Sequence, residues 1–119
     1  MVRGVRGAVT VGADTPQEVA QATRELLEVI VARNGISPAD IAAATFSVTD
    51  DVRSAFPAAT ARALGWTMVP MECYQEMSVP QALPRCIRVL ILWNTDKPQN
   101  EIQHVYLREA VGLRPDLAK

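Results

Sequence analysis

Two arginines lie in stretches of the sequence that are typical of β-strands. Arg88 is the third residue of the run CIRVLILW (residues 86–93), whose large apolar and β-branched side chains predict a buried strand. Because an arginine cannot shed its charge and an unpaired buried cation is very unfavourable, we expect an anion beside it, from the protein or from a ligand. Arg6 lies between Gly4 and Gly7 in another predicted strand. Glycine within a strand indicates close approach of a ligand or another backbone, although a solvated arginine at a sheet edge explains the pattern equally well.

A carboxylate, a tyrosine and a third arginine could complete an anion site. Glu76 follows a predicted strand and could accept a hydrogen bond from a ligand hydroxyl, pair with Arg88, or simply be solvated. Tyr106 combines an apolar ring with a polar hydroxyl, so it could serve the core or the site. Together with Arg114, these residues suit a small organic di-acid, because arginine binds carboxylates and phosphates bidentately.

The sequence lacks the residues that several other kinds of functional site require. His104 is the only histidine and there is no Cys-x-x-Cys pair, so we expect no metal, no cofactor and a structural histidine. A net charge of -1 with 5% aromatic residues argues against nucleic acid or a membrane surface as a partner. The sequence has no apolar stretch long enough for a bilayer and no signal-peptide pattern, which predicts a cytoplasmic protein. Cys73 and Cys86 are then expected to be thiols.

The pattern of apolar residues predicts an α+β or α/β fold, in which a mixed sheet is covered by helices on one face. The 119 residues suffice for a single domain. The predicted strands lie at residues 2–11, 44–49, 67–73 and 86–93, with extended or mixed structure at 104–113. The helices run from the Thr15 cap to about residue 33, briefly from residue 38, and over 57–64. A sheet covered on one face only leaves the other face in need of a partner, which favours an oligomer.

Seven motifs, in register over nearly the whole chain, resemble those of the monofunctional chorismate mutases of the Bacillus type. They are RGVRGA (3–8), FPA (56–58), CYQEM (73–77), CIRV (86–89), TDKPQ (95–99), HVYL (104–107) and LRPDL (113–117). The resemblance implies a homotrimer whose sheets form a pseudo-α/β-barrel, with active sites in the clefts between subunits. It also implies the rearrangement of chorismate to prephenate in phenylalanine and tyrosine biosynthesis, without a cofactor.

The resemblance also implies a role for each matching residue. Arg88 would contact the ether oxygen of the breaking bond, and Arg6 would bind a carboxylate. The remaining positions would line the site: Glu76 and Cys73 near the ring hydroxyl, Tyr106 at the side-chain carboxylate, Phe56 and Arg62 from the neighbouring subunit, and Leu113 and Arg114 in a tail that closes over the cleft. The segment 114–119 is expected to be able to move.

Two positions depart from the family pattern, and two other functions stay open. Ala59 stands where some members carry a lysine, and Glu72 where a relative has a small polar residue, so we expect Glu72 to point away from the cleft. One alternative is an enzyme like the trimeric imine and enamine deaminases, which rests on analogy of fold. The other is a non-catalytic metabolite-binding subunit, which a structure with Arg88 fully paired with Glu76 and sealed from solvent would favour.

Overall fold

The computed structural model describes residues 1–113, which build one five-stranded sheet in the order β3-β2-β4-β1-β5. The strands are β1 (Val2–Thr10), β2 (Ile41–Val48), β3 (Met71–Gln75), β4 (Cys86–Asn94) and β5 (Val105–Leu107). Strand β4 is antiparallel to both of its neighbours, β1 and β2, whereas β3 runs parallel to β2 and β5 parallel to β1. The mixed sheet of the predicted α+β fold is therefore confirmed.

Two α-helices, α1 (Pro16–Asn34) and α2 (Pro57–Ala63), begin and end close to where the sequence predicts. The Thr15 hydroxyl accepts the backbone N–H of Glu18, and Gly35 ends α1 with a left-handed φ of 74°. Short 3-10 helices occupy Pro38–Asp40, Gln99–Glu101 and Arg108–Leu113. None of the helices within residues 1–113 has the length and apolar character that a membrane crossing requires.

Alternation along β4 sends its side chains to two different environments. Ile87, Val89, Ile91 and Trp93 are buried in the core with the apolar face of α1. On the opposite face, Leu90 and Leu92 remain 43% and 38% exposed, and Arg88 lies in the same row. The prediction that the whole run 86–93 is buried is therefore wrong at Leu90 and Leu92, because the two α-helices cover only the other face.

Gly7 marks the close approach of a helix rather than of a ligand. A Cβ atom at this position would lie 2.6 Å from Cδ1 of Ile30 and 3.1 Å from Cδ1 of Leu26, both on α1. Glycine therefore lets α1 pack tightly on β1. Arg6, the preceding residue, has the opposite parity and lies on the face of the sheet opposite α1, which we call the open face.

Two predicted strands have different bounds in the structure. The strand predicted at 67–73 begins only at Met71, because residues 66–69 form a turn and Pro70 has no N–H to donate. The carbonyl of Pro70 instead accepts the N–H of Ala44. In the 104–113 segment, the extended part ends at Leu107, since Arg108 takes a left-handed φ of 56° and a 3-10 helix follows.

Candidate active site

Arg88 and Glu76 form an ion pair on the open face. Nε of Arg88 donates to Oε1 of Glu76 at 2.9 Å, and Nη2 donates to Oε2 at 3.5 Å. The backbone N–H of Glu76 donates to the carbonyl of Val48 at 2.9 Å, which joins the carboxylate to the end of β2. The side chains of Arg88 and Glu76 are 26% and 17% exposed. The pair is thus partly buried but open to solvent, so the sealed geometry that would favour a non-catalytic subunit is not found.

Arg6 and Tyr106 lie beside this pair on the same face. Ala8 is the register partner of Arg88 on β4 and of Tyr106 on β5, so Arg88, Ala8 and Tyr106 form one cross-strand row. The guanidinium carbon of Arg6 lies 6.0 Å from the centre of the Tyr106 ring. Within residues 1–113, the Arg6 side chain forms no ion pair with a carboxylate.

The hydroxyl of Tyr106 is buried without a hydrogen-bond partner among the described residues. The ring is only 3% exposed and packs with Ala8, Cys86 and Ala110, with Leu113 partly buried against them. A buried polar atom without a partner is unfavourable and needs an explanation, such as an acceptor supplied by a ligand. Arg6 and Tyr106 together therefore offer donors suited to a carboxylate.

The thiol of Cys86 is a poor nucleophile near neutral pH. Burial in an apolar environment raises the pKa of Cys86 to about 11, so the thiol stays protonated near neutral pH. No group of three or more histidine, cysteine, aspartate and glutamate side chains within residues 1–113 is placed to hold a metal ion.

His104 joins β1 to the segment before β5. Its Nδ1 accepts the backbone N–H of Arg6 at 3.0 Å, which requires that nitrogen to carry no proton. This contact agrees with a structural histidine, because the ring supports the backbone of Arg6.

We expect His104→Ala to keep most of the wild-type kcat. The substitution removes the hydrogen bond to the backbone of Arg6, and the loss of a hydrogen bond of this kind typically lowers the free energy of unfolding by about 1 kcal/mol. Thermal unfolding and steady-state kinetics would check both effects. A folded variant with no activity would contradict the structural role and would indicate a proton-transfer step.

A second group of predicted site residues lies elsewhere on the chain. Phe56 caps the N-terminus of α2 and is 70% exposed, and Arg62 is exposed on the same helix. Cys73 pairs in register with the buried Phe46 and packs against the core, so it faces the helices. It lines a surface depression together with Phe56 and Tyr74. A single chain therefore does not bring Phe56, Arg62 and Cys73 together with Arg88 and Glu76.

Glu72 lies on the open face of the edge strand β3, and the expectation that it points away from the cleft stays a prediction. Cys73 faces the core, so its neighbours Glu72 and Tyr74 must take the other side of β3. A hydrogen bond to Glu72, together with burial, raises the pKa of Tyr74 above its usual value. Ala59 is exposed on α2. Arg114 and the predicted mobile tail at 114–119 lie outside the described residues.

Sequence patterns did not reveal the polar residues that join the end of β2 to the start of β4. Asp51 accepts hydrogen bonds from the hydroxyl of Thr49 and from the backbone N–H of Arg85. The local signal was a threonine followed by two aspartates after a predicted strand, which is typical of a turn with side-chain to backbone hydrogen bonds. No local pattern indicated that Asp51 would contact Arg85, which lies 34 residues further along the chain.

The fold is that of a small α+β protein with a mixed five-stranded sheet, and comparisons with known proteins specify the family. The chain matches the family described as chorismate mutase type I over residues 2–117. Chorismate mutase AroH of Thermus thermophilus is 58% identical over 118 residues, covering 98% of this chain and 97% of that protein. Chorismate mutase AroH of Bacillus subtilis is 48% identical over 119 residues, covering 99% and 94%.

A solved structure agrees with these sequence matches. The chorismate mutase from Clostridium thermocellum superimposes with a TM-score of 0.88 at 43% identity, covering 90% of this chain and 96% of that one. The chain therefore belongs to the chorismate mutase type I family. It is a chorismate mutase, an isomerase of aromatic amino acid biosynthesis, which confirms the predicted activity and argues against the deaminase alternative.

Proposed function

We propose that this site rearranges chorismate to prephenate by holding the substrate and stabilising charge, without covalent or acid–base catalysis. The observation that carries the proposal is the solvent-accessible Arg88–Glu76 pair on the open face. In the rearrangement the ether C–O bond breaks while a C–C bond forms elsewhere in the same molecule. No atom enters or leaves, so the protein needs no nucleophile and no proton donor.

Arg88 is assigned to the ether oxygen, where negative charge builds as the C–O bond lengthens. Two of its guanidinium nitrogens are turned to Glu76, and Nη1 has no hydrogen-bond partner within residues 1–113, which leaves it for a ligand. A guanidinium already fixed by a carboxylate stabilises developing charge without having to reorganise during the reaction. The Glu76 carboxylate would accept a hydrogen bond from the ring hydroxyl of the substrate and would keep the Arg88 guanidinium in place.

Arg6 and Tyr106 are assigned to the substrate carboxylates. The side chain of Arg6 lacks a carboxylate partner and the hydroxyl of Tyr106 lacks an acceptor within the described residues, so a bound carboxylate would satisfy both. Leu113, which packs beside Tyr106, and Arg114 would close over the cleft. Fixing both ends of the flexible dianion brings its reacting carbons together, which is an orientation effect.

We propose a homotrimer with the pseudo-α/β-barrel arrangement and a site between subunits. The support is the separation of the predicted site residues into two groups within one chain. The first group, Arg6, Glu76, Arg88 and Tyr106, lies on the open face, and the second, Phe56, Arg62 and Cys73, lies around α2 and the helix side of β3. A complete site then needs the second group of another copy. Leu90 and Leu92 on the open face offer apolar surface for this contact.

We propose that the chain acts as a single domain in the cytoplasm, on a small-molecule substrate and without nucleic acid or membrane partners. The free thiols of Cys73 and Cys86 are in keeping with a reducing compartment.

The test of function is a direct assay with purified protein and no added metal or cofactor. We expect chorismate absorbance to fall while prephenate appears in equimolar amount, and we expect no hydrolysis of an imine substrate in a parallel assay. Loss of chorismate without prephenate would contradict the proposal. Sedimentation analysis tests the assembly, where a trimer is expected and a fully active monomer would rule out a shared site.

A further inference from the structure

A polar cluster joins the two strands that carry the proposed catalytic pair. It consists of Thr49 just after β2, Asp51 in the following turn, and Arg85 and Cys86 at the start of β4. The backbone N–H of Arg85 donates to both carboxylate oxygens of Asp51 at 3.0 Å. The Thr49 hydroxyl donates to Asp51, and its oxygen accepts the N–H of Cys86 at 2.9 Å. One carboxylate therefore receives hydrogen bonds from both strand ends.

Arg85 depends on this support because its backbone is left-handed, with a φ of 48°. Its carbonyl accepts the N–H of Val11 at 2.9 Å, and its Nε donates to the carbonyl of Val11 at 3.1 Å. The turn that brings the chain into β4 is thus held by the end of β1 on one side and by Asp51 on the other.

The cluster adjoins both members of the ion pair. The N–H of Glu76 is bound to the carbonyl of Val48, the residue before Thr49. The N–H of Thr49 donates to the carbonyl of Cys86 at 3.1 Å, and Arg88 is the next residue on the same face of β4 as Cys86. The distance between the guanidinium and the carboxylate therefore depends on how the end of β2 is joined to the start of β4.

We propose that Asp51 is a positioning residue for the rearrangement, whose carboxylate fixes the start of β4, through Arg85 and Thr49, and with it the guanidinium of Arg88. This inference rests on the proposed role of Arg88 in the transition state. Asp51 is exposed and has no hydrogen bond to Arg88 within the described residues, so it acts on catalysis only indirectly. Its exposure also means that removing the carboxylate leaves no cavity in the core.

The test is a double-mutant cycle, with kcat and KM measured for Asp51→Ala, Arg88→Ala and the variant that combines them. We expect Asp51→Ala to lower kcat by about tenfold to 100-fold with little change in KM, because a small displacement of a preorganised group weakens transition-state binding. Asp51→Asn keeps one acceptor oxygen and should lose less. In the Arg88→Ala background, Asp51→Ala should cause no further loss, since the group that it positions is gone.

Asp50→Asn is the matched control, because it removes the same charge one residue away without touching Arg85 or Thr49, and its kcat should be unchanged. Equal losses from Asp51→Ala in both backgrounds would overturn the positioning role, as would a raised KM with an unaltered kcat. Circular dichroism checks folding, and Asp51→Asn replaces Asp51→Ala in the cycle if the latter does not fold. If the proposed role of Arg88 is wrong, Arg88→Ala alone will keep wild-type turnover. This result would also overturn the inference about Asp51, and it can be distinguished from failure of the Asp51 role alone, in which Arg88→Ala still loses turnover.

Discussion

Replacing Arg88 with lysine is expected to lower kcat by at least about 100-fold, since losing one preorganised donor typically costs roughly 3 kcal/mol of barrier or more. Lysine keeps the charge but loses the planar guanidinium, so it cannot make the two contacts with Glu76 and also reach the ether oxygen from a fixed position. KM should change less than kcat, because the interaction develops mainly in the transition state. Steady-state kinetics with chorismate would measure both parameters.

The matched control is Arg24→Lys, which makes the same chemical change at an exposed position of α1. Its kinetics should equal those of the wild type, and circular dichroism should show that both variants are folded. Near-normal turnover by folded Arg88→Lys would contradict the assignment of Arg88 to the transition state.

Mixing two inactive variants is expected to restore activity if each site is shared between two subunits. One variant carries Arg88→Ala, which damages the open-face group, and the other carries Phe56→Ala with Arg62→Ala, which damages the group around α2. In trimers assembled at random from an equal mixture, about a quarter of the sites combine two intact halves. The mixture should therefore regain about a quarter of wild-type turnover after co-refolding, measured per site.

The control mixture combines Arg88→Ala with Glu76→Ala, whose lesions lie in the same half of the site. No combination of these two chains yields an intact site, so activity should stay at the level of the separate variants. Complementation in the control, or none in the test mixture when both chains are shown to co-assemble, would contradict a site between subunits.

Local sequence patterns predicted most of the helices and strands, because the interactions that begin and end these elements involve neighbouring residues. Thr15 marked the start of α1, and Gly35 ends the helix, through capping chemistry that involves only neighbouring residues. The apolar residues of 2–11 predicted a strand, and β1 spans Val2–Thr10 with Val5 and Val9 fully buried. Periodicity failed at the 67–73 strand, where the turn before Met71 depends on its packing in the fold.

Sequence patterns indicated candidate site residues but not how they are arranged. The misplaced charge of Arg88 indicated an anion, and the structure supplies Glu76 as that partner. The meaning of Gly7 could not be read from the sequence, because either a ligand or a helix explains a glycine in a strand, and only the position of α1 decides between them. The face that Cys73 takes likewise depends on the pairing of β3 with β2.

The most direct test of the central claim is the single-turnover rate of chorismate conversion in H2O and in D2O, with enzyme in excess so that chemistry limits the rate. The claim is that orientation and the fixed charge of Arg88 catalyse a rearrangement in which no proton moves. We expect equal rate constants in the two solvents, with prephenate as the product in both. A clearly slower reaction in D2O would contradict it, since it would show proton transfer in the transition state.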